Sequence, residues 1–162
     1  LLNKLVKNKP KEMTVLADLP GWRENGGSVP HYLAVTEQMP DIVIIDKSVS
    51  PGMVVLLEMT VPFDTGHGFE EARKRKVDRY CRLAMDIEQQ GFSVWNCPLE
   101  VGCRGVINDR NCGVLATLSK MCNVKDFKNL RRTIGKIALL GSHRIWMSRK
   151  SQSFVGGNFI QP

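Results

Sequence analysis

The chain has 162 residues, 43% hydrophobic and 24% charged, with a formal net charge of +7, a composition typical of one globular domain with a single core. Its longest apolar runs, 53–57 and 137–140, are far shorter than the ~20 residues of a membrane span, and no charged leader precedes an apolar run. The composition therefore excludes a membrane protein, a collagen-like chain and a disordered tail.

The predicted elements form an α/β domain in which helices flank a mixed β-sheet. Residues 1–12 are expected to form a tether or truncated helix, and 151–162 a flexible tail of the same single domain, 1–162. The strands are predicted at 13–17, 31–35 (weak), 41–46, 54–61 and 92–97, and the helices at 69–90, 109–121 and 125–140. Strands 41–46 and 54–61 should pair as an antiparallel hairpin across the turn Ser50-Pro51-Gly52. The helix at 69–90, capped by Gly91, implies a right-handed crossover to the strand at 92–97, and a tight turn follows at 102–105.

The charges are distributed unevenly along the chain. Residues 37–71 carry seven acidic side chains against one lysine, whereas 73–82 carry six basic side chains against one aspartate. Residues 125–150 carry eight basic side chains against one aspartate. A basic body with an acidic centre is typical of a protein that binds a polyanion and contains a metal or acid/base site. Solvated basic helix faces are the alternative explanation for any single run.

The first residue and the cysteines indicate the context of the chain. Because the chain begins with Leu1 rather than Met, we expect an excised domain or a processed fragment of a longer protein. Five cysteines without close pairing favour reduced thiols in an intracellular protein over a disulfide framework. Their irregular spacing relative to His143 argues against a zinc site, so buried thiols are expected.

The predicted helix 69–90 carries a lysine where its periodicity requires an apolar residue. Lys76 lies at the centre of a stripe whose other members are apolar or aromatic: Phe69, Ala72, Tyr80, Leu83 and Ile87. Period-two alternation in the strand 54–61 groups Val54, Leu56, Glu58 and Thr60 on one face. A lysine that faces a sheet is costly unless it meets a carboxylate. We therefore predict a cluster of Asp41, Glu58 and Lys76 at the helix–sheet junction, with a structural ion pair or a lysine extending to solvent as the alternatives.

Short motifs in this region match a known nuclease pattern. Pro40-Asp41, followed by Glu58-Met59-Thr60 at the end of the next strand, matches the PD-(D/E)xK pattern, with Thr60 in place of the usual lysine. The wider run PDIVI…LEMTVPF…EARKRKVDRY resembles the restriction-like endonuclease domain of site-specific non-LTR retrotransposon polyproteins. The segments ADLPG at 17–21 and VGCRG at 101–105 also resemble parts of these proteins, so the resemblance covers about residues 15–110.

The resemblance implies a fold and an activity. The fold would be a restriction-endonuclease-like core, and the activity a Mg²⁺-dependent DNA endonuclease, with Mn²⁺ as a substitute, that nicks target DNA in the nucleus to prime reverse transcription. The implied partners are DNA, the reverse transcriptase and other domains of the same polyprotein, with retroelement RNA as a further candidate and no membrane.

The resemblance also implies roles for individual residues. The metal ligands would be Asp41, Glu58 and the backbone carbonyl of Met59, which are hard oxygen donors suited to Mg²⁺. The family helix carries a Lys-x-x-Lys-Tyr pattern, which Lys76, Arg79 and Tyr80 represent here. Lys76 would orient or deprotonate the attacking water or neutralise the phosphate. Arg79 would stabilise phosphate charge, and Tyr80 would hydrogen-bond or stack nearby unless it is simply a core tyrosine.

Further residues are candidates for DNA contact or for a supporting role. The implied DNA-binding residues are Arg73, Lys74, Arg75 and Arg104, whose contacts with phosphates would make affinity fall with salt. Glu24 is a candidate for the additional acidic residue that many such nucleases carry. His67, between two glycines near the site, could approach substrate or be a mobile loop residue.

Two departures from the family pattern leave a degenerate nuclease open as an alternative. Thr60 lacks the usual strand charge, and Arg79 cannot readily carry a proton. A catalytically degenerate nuclease fold that acts as a DNA- or RNA-binding module of the polyprotein is therefore the alternative. A structural domain that docks onto the reverse transcriptase, with apolar exposure around 134–145, is the third hypothesis.

Overall fold

A computed structural model describes residues 1–7, 9–23 and 28–149. The helices and strands of these ranges are α1 Leu2–Lys7, β1 Met13–Ala17, β2 Ile42–Asp46, β3 Met53–Thr60, α2 Gly66–Gln89, β4 Ser93–Glu100, α3 Asp109–Met121 and α4 Phe127–Ser148. The predicted helix or tether at the start of the chain therefore contains a short helix. The predicted tail at 151–162 and the candidate Glu24 lie outside the described residues.

The strands form a mixed sheet, which confirms the predicted α/β class. Within the described residues the strand order is β1-β2-β3-β4. β1 pairs with β2 and β2 with β3 in antiparallel fashion, whereas β3 and β4 are parallel. The predicted hairpin of β2 and β3 is confirmed, and α2 supplies the crossover that a parallel pair requires. β2 is buried along its whole length because helices or loops cover both faces of the sheet there.

The prediction of a strand at 31–35 is wrong. The backbone amides of Leu33 and Ala34 both donate to the carbonyl oxygen of Pro30, at 3.0 and 3.3 Å, so this segment forms a turn. Leu33 is fully buried against the α2 side of the sheet. The apolar residues that suggested a strand are thus packed into the core from a turn rather than paired in the sheet.

Three elements are longer than predicted, and one of them is α2, which begins at Gly66 behind its N-cap Thr65 rather than at residue 69. β4 continues through Pro98 to Glu100. β4 is the last strand in the sheet order of the described residues, so the outer side of Pro98 faces no neighbouring strand. The missing N–H of proline therefore breaks no hydrogen bond between strands there. α4 continues past Leu140 to Ser148, through Gly141, which has open space around its Cα. The additional turns of α4 carry several exposed apolar side chains.

The sheet separates two apolar clusters. α2 covers one face, where Val54 and Leu56 of β3 pack with Tyr80, Leu83 and Ile87. α1, α3 and α4 cover the other face, which receives alternate residues of β3. The predicted period-two pattern of β3 is therefore confirmed for the core. The buried residues of α2 are the predicted stripe, Phe69, Ala72, Tyr80, Leu83 and Ile87.

Candidate active site

Asp41 and Glu58 lie side by side where β2 begins and β3 approaches its end. Because Ile42 is opposite Leu57 in the antiparallel register, the residue before β2 stands opposite Glu58. The backbone N–H of Asp41 donates to Oε2 of Glu58 at 3.1 Å, and the backbone N–H of Met59 donates to Oδ2 of Asp41 at 2.7 Å. These reciprocal bonds hold the two carboxylates next to each other.

Two side chains of α2 complete this cluster. Lys76 Nζ lies 2.5 Å from Oε1 of Glu58, and the Tyr80 hydroxyl donates to Oε2 at 3.1 Å. Lys76 and Tyr80 are one helical turn apart, so both can reach the same carboxylate. The Glu58 side chain is only 5% exposed, and its two oxygens accept from Lys76, Tyr80 and the Asp41 backbone. The predicted proximity of Asp41, Glu58 and Lys76 is thus present in the structure.

The electrostatics of the cluster follow from burial and from the adjacent carboxylates. Burial raises the pKa of Asp41, and the neighbouring Glu58 carboxylate raises it further, while the Met59 N–H and Lys76 oppose the shift. Burial and then Glu58 raise the pKa of Tyr80, so its hydroxyl is a neutral donor at physiological pH. A positive charge placed beside Asp41 would stabilise its ionised form.

Hydrogen bonds fix the irregular segment that leads into Asp41. The Gln38 side-chain amide donates to the carbonyl of Arg79 at 2.8 Å. The Met39 carbonyl lies 3.2 Å from the Tyr80 hydroxyl, which shares its one proton between this oxygen and Glu58. The buried Ser28 hydroxyl donates to the carbonyl of Pro40 at 2.7 Å. Sequence reasoning missed Ser28 and Gln38, because single polar residues in loops carry no periodic signal. They tie the loop to α2 and to the segment near residue 28.

A cleft of about 620 Å³ opens beside Asp41. Asp18 and Asp41 are its acidic lining residues, and apolar side chains of α1 and α4 form much of the remaining wall. Asp18 follows β1 and stands next to Asp41, to whose carbonyl oxygen its backbone N–H donates at 3.1 Å. Its carboxylate pairs with Arg23 at 2.6 Å. Sequence reasoning missed Asp18, although it would follow from pairing β1 with β2.

The other predicted site residues occupy different surfaces. Arg79 is exposed, and its guanidinium carbon lies 5.5 Å from the centre of the Tyr80 ring, which puts it beside the cluster. Arg73 pairs with Glu70 at 3.2 Å, and Arg73 and Lys74 line a small cavity of about 300 Å³ with acidic neighbours. Arg104 is held by Asp64 at 2.9 Å and lines a separate groove.

The remaining predicted residues add little to the cluster. Arg75 is exposed on α2. His67, at the start of α2, is exposed and pairs with Glu71 at 3.2 Å. Neither residue has a described contact with the carboxylates of the site.

The donor set fits a hard divalent cation if the backbone contributes. Among the described residues, no group of three or more His, Cys, Asp or Glu side chains is arranged to hold a metal ion. Mg²⁺ is commonly bound by one or two carboxylates with several waters, so Asp41, Glu58 and the Met59 carbonyl would suffice chemically. The raised pKa of Asp41 is consistent with a site that favours an added positive charge. Lys76 supplies one such charge already, at Glu58.

Comparison of this chain with protein-family models, with curated proteins and with solved structures gives no significant match. In the part of the chain that the structure describes, no helix has both the length and the apolar character needed to cross a membrane.

Proposed function

We propose that this chain is a metal-dependent DNA endonuclease of the PD-(D/E)xK type with a restriction-endonuclease-like core. It would nick target DNA in the nucleus so that the reverse transcriptase of the same retrotransposon polyprotein can extend the free end. The observation that carries the proposal is the adjacency of the Asp41 and Glu58 carboxylates at one end of the β2–β3 hairpin, with Lys76 on Glu58. The PD and ExT motifs of the sequence supply these same residues.

The residues of the cluster would have distinct roles. Asp41, Glu58 and the Met59 carbonyl would hold Mg²⁺ or Mn²⁺, which when bound would polarise the scissile phosphate and lower the pKa of a water. The Lys76 ammonium has three N–H donors, so after pairing with Glu58 it can still donate to a water or a phosphate oxygen. It thereby supplies from α2 the positive charge that Thr60 lacks.

The neighbouring residues of α2 would support this chemistry. The Tyr80 hydroxyl keeps Glu58 in its orientation by donating to Oε2. The exposed guanidinium of Arg79, beside the Tyr80 ring, can stabilise negative charge on a bound phosphate.

One observation favours the second candidate function, a degenerate nuclease fold that only binds DNA or RNA. An ionised carboxylate offers about four lone-pair positions, and three donors already occupy three of those of Glu58. The remaining position is on Oε1, the oxygen that Lys76 binds. A cation would have to share Glu58 with Lys76 or displace it. If it does neither, the chain keeps its basic surfaces and its polyanion binding but does not cleave.

Nicking of supercoiled plasmid at low salt tests the proposal. The intact chain is compared in Mg²⁺, in Mn²⁺ and in EDTA, beside Asp41→Ala, Glu58→Ala and Lys76→Ala. Asp86→Ala is the matched control, since this α2 carboxylate pairs with Arg82 and lies outside the cluster. We expect metal-dependent nicking by the intact chain and by the control, and its loss in the three site variants.

Two other outcomes would contradict the endonuclease. Nicking that persists in Glu58→Ala would mean that a contaminant or a different site cleaves. Salt-sensitive DNA binding without any nicking would establish the binding module instead. Circular dichroism of each variant distinguishes a lost site from a lost fold.

A further inference from the structure

A row of cations lines a groove on α4. The groove has a volume of about 850 Å³, and the described residues that line it include five bases and one acid: Arg104, Lys128, Arg131, Arg132, Lys136 and Asp126. The four α4 bases that line the groove have no ion-pair partner among the described residues, whereas Arg73 and Arg82 of α2 each pair with an acid on their own helix. Among the described residues, the groove therefore carries a net positive charge.

Backbone atoms of the turn at 102–105 and of α4 form the bottom of the groove, and Arg104 is held in place at its edge. A Cβ on Gly105 would lie 2.6 Å from the carbonyl oxygen of Gly135, so the turn at 102–105 packs directly on α4. Arg104 is anchored beside it, because its backbone N–H and its Nε each donate to Oδ2 of buried Asp64 at 2.9 Å. Its side chain is nevertheless 74% exposed. A rigid, exposed guanidinium loses little entropy when it binds a phosphate.

An aromatic surface continues from this groove. Arg104 and Leu139 line both the groove and a second cavity of about 450 Å³, whose other lining residues include Phe63, Trp146 and Arg149. Phe63 is 80% exposed and Trp146 is 55% exposed. Arg131 and Trp146 are separated by about 22 Å along the helix at 1.5 Å per residue.

We infer that this continuous surface binds single-stranded nucleic acid, with phosphates along the basic groove and bases stacked on Phe63 and Trp146. A cationic groove followed by exposed aromatic rings is the combination that binds single strands without sequence preference. A duplex keeps its bases stacked inside and offers nothing to these rings, whereas an acidic peptide would use the cations alone. Nicking creates strand ends that can unpair from the complementary strand, so the inference rests on the proposed function and extends it to an additional binding surface.

The test measures binding in EDTA, so that loss of cleavage and loss of single-strand binding are observed separately. Fluorescence anisotropy is recorded with a labelled oligothymidylate of about 12 nucleotides and with a duplex of equal length. We expect tighter binding of the single strand, with log K falling against log salt at a slope of about −3 for four or five phosphate contacts.

Matched variants locate the site. Arg131→Ala combined with Lys136→Ala should reduce the salt slope, and Trp146→Ala should weaken single-strand binding about ten-fold. Trp146→Phe should retain most of the affinity because it keeps a ring. The controls Arg82→Ala and Met85→Ala change an exposed base and an exposed apolar residue of α2 and should have no effect. All of these positions are exposed, so thermal melting should show intact folds.

Three results would overturn the inference. The first is equal affinity for single strand and duplex, and the second is equal binding by the Trp146 variants and the controls. The third is binding of polyglutamate as tight as that of the oligonucleotide, which would indicate a surface for an acidic protein segment. Loss of nicking with retained single-strand binding would contradict only the proposed endonuclease.

Discussion

The ammonium nitrogen of Lys76 lies 2.5 Å from Oε1 of Glu58, although the two side chains are only 18% and 5% exposed. The pair joins α2 to β3 where the apolar stripe of α2 packs on the apolar residues of β3. Burying two charges is costly, and the loss of one partner leaves the other charge buried without compensation. The lysine that interrupts the stripe of α2 and the glutamate that interrupts β3 therefore depend on each other.

Lys76→Met should lower the free energy of unfolding by about 3–5 kcal/mol, because it leaves Glu58 buried and unpaired. Glu58→Gln combined with Lys76→Met should recover part of this loss, since the double variant buries no charge at either position. Urea unfolding followed by circular dichroism measures both. The control Arg82→Met breaks an exposed pair and should change stability by no more than ~1 kcal/mol. A Lys76 variant as stable as this control would mean that the lysine extends to solvent.

Asp41→Asn should abolish nicking without lowering thermal stability. Burial and the adjacent Glu58 raise the pKa of Asp41, so its ionised form is less favourable in the folded protein than in the unfolded chain. An asparagine oxygen can still accept the Met59 N–H bond, and the substitution removes the repulsion. Asp64→Asn is the contrasting variant, because Asp64 compensates Arg104 and its replacement should be destabilising. Thermal melts of both variants test this difference. A loss of melting temperature in Asp41→Asn as large as in Asp64→Asn would contradict the prediction.

Gly102→Ala should destabilise the turn that precedes α3. A Cβ at this position would lie 1.4 Å from Oδ1 of Asp64, so the buried carboxylate that anchors Arg104 would have to move. We expect a loss of about 2–4 kcal/mol together with weaker nucleic-acid binding. Gly113→Ala is the matched control: Gly113 lies in α3 with open space around it, and alanine should add about 0.5–1 kcal/mol of stability. Equal effects of the two substitutions in denaturant unfolding would refute the packing argument.

The buried thiols should make stability fall at alkaline pH. Burial raises the pKa of Cys97 to about 12 and that of Cys122 to about 11, against 9.0 for an exposed thiol. Their contribution to the free energy of unfolding is therefore fully present below about pH 9 and is lost as the pH rises towards the folded-state values. Unfolding measured near pH 8 and pH 10 should show a smaller decrease for Cys97→Ala than for the intact chain.

Alkylation gives an independent check of the same burial. At about pH 8, iodoacetamide should modify the exposed Cys81 but leave Cys97 and Cys122 unmodified until urea unfolds the chain. Intact mass and peptide mapping identify the modified residues. Modification of Cys97 as fast as that of Cys81 in the folded protein would contradict its burial.

The local periodicities of the sequence determined the hairpin of β2 and β3, the bounds of β1 and α3, and the buried stripe of α2. Each of these features follows from the spacing of apolar side chains within one segment, because any apolar partner buries the face on which those side chains lie. The prediction of a lysine facing the sheet has the same origin, because Lys76 shares the stripe that Tyr80 and Leu83 define.

The tertiary structure decided which of those segments pack against each other and which of their residues become neighbours. Strand register set Asp18 beside Asp41, and the turn at residues 30–34 took Leu33 into the core without a strand. The close approach of Gly105 and Gly135 aligned the bases of α4 with Arg104. Contacts of this kind join residues far apart in the chain, and their geometry depends on register, strand order and helix packing, which no single segment encodes. The sequence alone thus determined which faces are buried, and the packing of those faces decided which charged groups lie together.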